Sequence, residues 1–108
     1  MEKLQMLEEM GKAADALYKR AAWSSLPLDQ RAKLSNAHAA ILNTMIDVTR
    51  RDLISLDNEL EGALADLTGI TKVARDQANK IERTEELLED IAMVLDRISA
   101  IVDALPFV

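Results

Sequence analysis

From Ile46 to Leu105 the chain reads IDVTRRDLISLDNELEGALADLTGITKVARDQANKIERTEELLEDIAMVLDRISAIVDAL. Taking Ile46 as position a of a heptad places Leu53, Leu60, Leu67, Ala74, Ile81, Leu88, Leu95 and Val102 at the later a positions. The d positions are Thr49, Leu56, Ala63, Ile70, Gln77, Thr84, Ile91, Ile98 and Leu105. The register keeps one phase throughout. Apolar residues at a and d over this many heptads are the pattern of helices that pack knobs into holes. Leu87, Val94 and Ile101 add apolar g positions near the end. A stripe that wide suits a bundle of three or more helices better than a two-stranded seam.

The helical pattern reaches back to Asp29 and stops at Pro106, which leaves Phe107 and Val108 as a short apolar tail. Upstream of Asp29 lies a break, SSLPLDQ at 24–30. Pro27 is costly inside a helix and biases Leu26 toward an extended backbone. Ser24, Ser25 and Asp29 are all competent helix caps. Before the break, Leu4, Leu7, Met10, Ala14, Leu17, Tyr18 and Ala21 recur every three or four residues, which is one face of a helix. Glu8 with Lys12, Asp15 with Lys19, and Asp47 with Arg51 stand at i,i+4 and add local support.

Two folds fit the long stretch. One is a continuous coiled-coil helix from 29 to 105, more than about 110 Å long at 1.5 Å per residue. The other is a hairpin reversing near Gly69, in Leu67-Thr68-Gly69-Ile70-Thr71. Gly and Thr are poor helix formers, and glycine suits the left-handed residue that ends many helices. The two halves are nearly equal in length, and the seam is weakest nearby, at Ala74, Gln77 and Thr84. The expected fold is therefore all-α: an elongated helical bundle made of an N-terminal helix plus a long heptad-patterned hairpin. Its elements are a helix at 2–23, a turn at 24–28, a helix at 29–67, a turn at 68–71 and a helix at 71–105, in a single domain of 108 residues. In the hairpin, Ile46 lies beside Leu95, Leu53 beside Leu88, and Leu60 beside Ile81.

Composition narrows the function more by exclusion than by assignment. Apolar residues make up 49% of the chain and charged residues 30%, too apolar for disorder and too charged for a membrane protein. Gly and Pro total five, too few for the turns of an all-β domain. The absence of Cys removes disulfides, thiolate metal sites and thiol nucleophiles. A net charge of −6 disfavours nucleic acid, whose phosphates need clustered Lys and Arg. The N-terminus, MEKLQMLEEMGK, has no apolar core of a signal peptide, and no run approaches the length of a membrane span, so a cytoplasmic location is expected.

No catalytic, cofactor or metal site emerges. His38 is the only histidine, and the residues after it, Ala39 to Asn43, lack the Lys and Gly that follow the histidine of phosphotransfer domains. Glu85, Glu86, Glu89 and Asp90 form an acidic run, but at heptad positions e, f, b and c they point away from the seam. A carboxylate cage needs ligands that converge. There is no inward Glu-x-x-His pair, no Gly-rich phosphate loop and no nucleophile elbow. Arg50 and Arg51 are flanked by Asp47 and Asp52, so local neutralisation is expected. Met6, Met10 and Met45 read as core filling, whereas Met93 falls at f, where an apolar side chain meets solvent.

The expectation that follows is a non-enzymatic protein–protein interaction or assembly module. Its partner would be a second copy of the chain or another helical protein, with no nucleic acid, membrane or small-molecule substrate. One short helix cannot cover the broad stripe, so the stripe itself would carry the interaction through Leu87, Leu88, Ile91, Val94, Leu95, Ile98, Ile101 and Val102. The alternative is a small acidic inhibitor of the antitoxin, immunity or enzyme-blocking type that fills a basic groove. Residues 1–23 carry four acidic and four basic side chains, while the remainder carries 15 and nine and so holds the whole negative balance.

Overall fold

Among the described residues there are four helices rather than the three expected. A computed structural model describes residues 3–22, 26–53, 58–76 and 83–107. The helices are α1 (Lys3–Ala21), α2 (Leu28–Arg50), α3 (Asn58–Asp76) and α4 (Thr84–Asp103). The protein is all-α, and among the described residues there is no strand, only an isolated bridge between Arg51 and Phe107.

α1 ends at Ala21, and the next helix begins one residue after Pro27. α2 starts at Leu28, and Arg31 donates its backbone N–H to the Pro27 carbonyl at 3.0 Å. Asp29 sits in the first turn rather than capping it, where its charge favours the helix dipole. Ser24 and Ser25 lie outside the described residues.

The break expected at Gly69 does not occur. α3 runs through Thr68, Gly69 and Thr71 without interruption, and no glycine has positive φ. Thr68 and Thr71 return their hydroxyls to the carbonyls four residues back, at 3.0 and 2.9 Å, which keeps both compatible with the helix. The chain instead leaves α2 at Arg51, whose backbone is extended. This overturns both the hairpin at 68–71 and the single helix from 29 to 105. The cause is visible at the break. Asp52 donates its N–H to the Pro106 carbonyl at 2.7 Å, so the backbone after Arg50 pairs with the segment following α4 instead of continuing the helix. Acidic first turns mark the new helix starts: Glu59 and Glu61 in α3, Glu85 and Glu86 in α4.

Side-chain contacts fix the directions. Lys3, at the start of α1, donates to the carbonyls of Thr49 and Arg51 at 3.3 and 2.8 Å, so α1 and α2 are antiparallel. Asp66 pairs with Arg97 at 2.6 Å across antiparallel α3 and α4. Lys33 reaches Glu85 at one end, and Arg51 reaches Asp103 and Leu105 at the other, so α2 and α4 run parallel. The antiparallel arrangement that would set Leu53 beside Leu88 is therefore absent, and Lys33 rather than Leu53 lies near that end of α4. α1 packs on α2 and α3, and α4 packs on the same two, which puts α1 and α4 on one diagonal. The bundle measures 43 × 20 × 19 Å.

The core is one cluster. α1 supplies Met6, Met10, Ala13, Ala14 and Leu17, and α3 supplies Leu60, Ala63, Leu64 and Leu67. From α4 come Leu87, Ile91, Val94, Leu95, Ile98 and Val102. In α3 and α4 Leu60, Leu67, Ala74, Leu95 and Val102 at a are buried, as are Ala63, Thr84, Ile91 and Ile98 at d, while Leu88 at a and Ile70 at d are half-buried and Leu64 and Thr71 at e are buried too. In α2 the heptad reading fails. The buried residues there are Leu34, Ile41 and Val48, at c, while Ile46 is 50% exposed. The phase slips between α2 and α3, where the chain reverses. Leu56, Gln77 and Ile81 lie outside the described residues.

Polar groups tie both ends of the bundle. At one, the small Ala74 and Thr84 leave room for the Arg20 side chain, which donates to the Thr84 hydroxyl from Nε and Nη2 at 3.2 and 3.1 Å. Burial pushes the Arg20 guanidinium below its ordinary pKa. At the other end, Arg51 donates to the carbonyls of Asp103 and Leu105 at 3.3 and 2.8 Å, satisfying orphan acceptors at the end of α4. Its guanidinium lies 4.0 Å from the Phe107 ring centroid and 3.4 Å from Asp47 Oδ1.

Candidate interaction surface

The eight residues expected to carry the interaction divide sharply. Leu87, Ile91, Val94, Leu95, Ile98 and Val102 are buried against the other helices of the same chain. Only Leu88 and Ile101 remain partly exposed at the edges of the stripe. The wide stripe is thus consumed internally, because a four-helix chain has more helices to cover it than the three-helix reading allowed.

The apolar side chains that do reach the surface lie elsewhere. On the outer side of α1 and α2 are Leu4 at 66% exposure, Tyr18 at 62%, Leu42 at 40% and Ile46 at 50%. Partly buried Leu7 and Met45 lie on the same side, and Gly11 opens the surface between them, its would-be Cβ 3.8 Å from the Met45 methyl. Helical spacing aligns Leu4, Leu7, Gly11 and Tyr18 along one flank of α1, and Leu42, Met45 and Ile46 along the facing flank of α2. The residues of α2 were legible as apolar, but the imposed heptad turned Ile46 inward and hid them.

A second opening, of about 660 Å³, runs along the outside of α3 and α4. Ile70, Val73 and Met93 line it, over a floor that includes Leu87 and Val94. Met93 at f is indeed solvated, at 67% exposure. Two ion pairs border this groove, Asp66 with Arg97 and Arg83 with Glu86 at 3.1 Å.

Of the groups weighed for chemistry, His38, Glu85 and Glu86 have partners within the chain. The Nδ1–H of His38 donates to the Ala14 carbonyl at 2.8 Å, and its ring lies 5.6 Å from that of Tyr18. Glu85, Glu86, Glu89 and Asp90 are all exposed, with Glu85 held by Lys33 at 3.3 Å. Among the described residues no group of three acidic or histidine side chains could hold a metal ion, and no helix is long and apolar enough to cross a membrane. Asp47 pairs with Arg51 as expected, and Asp15 with Lys19 at 3.0 Å, but Lys12 turns to Glu9 rather than Glu8.

No family model, curated protein or solved structure matches this chain.

Proposed function

We propose that the chain is a non-enzymatic protein–protein interaction module that self-associates through a helix face its own core leaves uncovered. The observation that supports this is the grouping of Leu4, Tyr18, Leu42 and Ile46 along the outside of α1 and α2. Scattered apolar residues on a surface are ordinary, whereas a contiguous patch normally marks an interaction site. Light scattering coupled to size exclusion tests the proposal. The expected mass exceeds that of one chain, rises with concentration and changes little with salt. A chain that stays monomeric at every concentration overturns self-association.

A second reading, the acidic inhibitor, draws on the outer face of α4. Glu89 and Asp90 are exposed there beside Glu85 and Glu86, and neither has an ion-pair partner among the described residues. A monomer that binds a basic partner protein and loses it as salt rises would favour this reading, because exposed charges are screened.

A further inference from the structure

Charged residues make up 30% of the chain, yet the thirteen residues of α2 from Leu34 to Ile46 include no Asp, Glu, Lys or Arg. Burial does not explain this. Within that stretch Ser35, Asn36, Ala39, Ala40, Leu42, Asn43 and Ile46 are all exposed. An exposed helix face cleared of charge and carrying Leu and Ile is what the centre of a protein interface looks like. His38, the one titratable group in the stretch, is turned inward to Ala14.

The order of side chains on this face identifies the occupant. Ser35, Ala39, Leu42 and Ile46 follow one another at spacings of four, three and four, so they form one line along the helix. The two small residues come first and the two large ones second. Laid antiparallel on a copy of itself, the line sets Ile46 over Ser35 and Leu42 over Ala39. Both pairs share one midpoint, between residues 40 and 41. Large side chains then fill the space left by small ones, and the helix axes can approach to about 8 Å. The charges at the two ends fit the same axis. Asp29 and Arg50 are exposed, unpaired among the described residues, and placed almost symmetrically about that midpoint. Antiparallel packing brings Arg50 of each copy toward Asp29 of the other. A two-fold axis needs a surface that complements itself in this way.

We infer that the exposed face of α2 is a homodimer interface, in which two copies pack α2 against α2 antiparallel about an axis near Ala40 and Ile41. This deepens the self-association proposed above and rests on it. For a chain of net charge −6, the uncharged face is also where two copies meet with least repulsion.

The test uses the full chain. Sedimentation equilibrium at micromolar concentration should give a dimer for the parent. Ile46→Glu should give a monomer with unchanged helicity, because Ile46 is half exposed and outside the core. Asp29→Arg and Arg50→Asp should each weaken the dimer a few-fold, and the double exchange should restore it. The chain has no cysteine, so single replacements report position directly. Ala39→Cys, close to the axis, should form an interchain disulfide under mild oxidation, and Glu86→Cys on the outer face of α4 should not. If the parent is monomeric, self-association and this interface both fail. If the parent is dimeric but Ile46→Glu leaves it dimeric and Ala39→Cys does not crosslink, self-association stands and the α2 interface is overturned. Dissociation by Met93→Glu in that case would assign the dimer to the groove between α3 and α4.

Discussion

α2 and α4 lie side by side in parallel, and both carry apolar residues at helical spacing, yet only one reads correctly from its sequence. On α4 the large apolar side chains other than Met93 fall on a single stripe, and most of its a, d and g positions lie inward. On α2 two stripes compete. Leu34, Ile41 and Val48 recur every seven residues, and Leu42 and Ile46 form a second line beside them. The core takes the first and leaves the second in solvent. A heptad that starts at Ile46 selects the wrong one, because continuity of phase is not continuity of helix. The contrast shows that a register carries information only between chain breaks. It also shows that a helix with two apolar lines has one more than its own fold uses.

The largest effect that can break this comparison is a charge in the α4 stripe. Ile98 is fully buried at the middle of the bundle. Ile98→Asp should cost about 4 kcal/mol or more, since an unpaired buried carboxylate is not compensated. Circular dichroism at 25 °C should show lost helicity and no cooperative thermal transition. A variant that stayed folded with the parent's melting temperature would place Ile98 outside the core.

Next in size is the choice between the two lines of α2. Ile41→Ala should cost about 2–5 kcal/mol, the range for emptying a core site. Ile46→Ala should cost less than about 1 kcal/mol, as for an exposed position. Urea denaturation, at a concentration low enough to keep the chain monomeric, measures both. The reverse order would restore the unbroken heptad and remove the free face on which self-association is proposed.

The end of α2 distinguishes the two helices more finely. Arg51 closes the break by donating to carbonyls at the end of α4, and its side chain is only 13% exposed. Hydrogen bonds from a charged donor to orphan carbonyls suggest that Arg51→Ala costs about 2 kcal/mol. Arg50→Ala, one residue earlier and exposed, should be near neutral in the monomer. Hydrogen exchange sharpens the result. Amides in the last turn of α4 should lose protection in Arg51→Ala while those of α1 keep theirs.

How far the sequence could be read follows from these sites. Helix content, the Pro27 break and the core faces of α3 and α4 are local in origin, set by propensity, proline sterics and spacing, and they were legible. The reversal after Arg50 is not local. It depends on Asp52 and Arg51 meeting the chain beyond α4, at Pro106 and Phe107, more than fifty residues away. Signals for it existed in Asp57-Asn58-Glu59, a cap-competent pair before an acidic turn, but the heptad overrode them. The interaction residues were misplaced for the same reason. Counting three helices left the α4 stripe uncovered, whereas α2 and α3 pack on it as separate helices.

The smallest effect is also the cleanest, because its sign alone decides. Gly69 drew the expected turn, and in the structure it is an exposed residue inside α3 with helical backbone. A Cβ built there meets nothing within 4 Å, so added bulk brings no clash. In a helix interior glycine is less favourable than alanine by about 0.5–1 kcal/mol, chiefly through the backbone entropy it surrenders on folding. Gly69→Ala should therefore stabilise the chain by about that amount, as should Gly62→Ala, whose Cβ also meets open space. In a hairpin ending at Gly69 the residue would need positive φ, and alanine would destabilise. Thermal denaturation of the two variants gives the answer. A rise in melting temperature at both positions keeps α3 whole and the reversal at Arg51. A rise at Gly62 with a fall at Gly69 would return the turn to 68–71, make the α2 and α4 register antiparallel, and dissolve the contrast between the two helices.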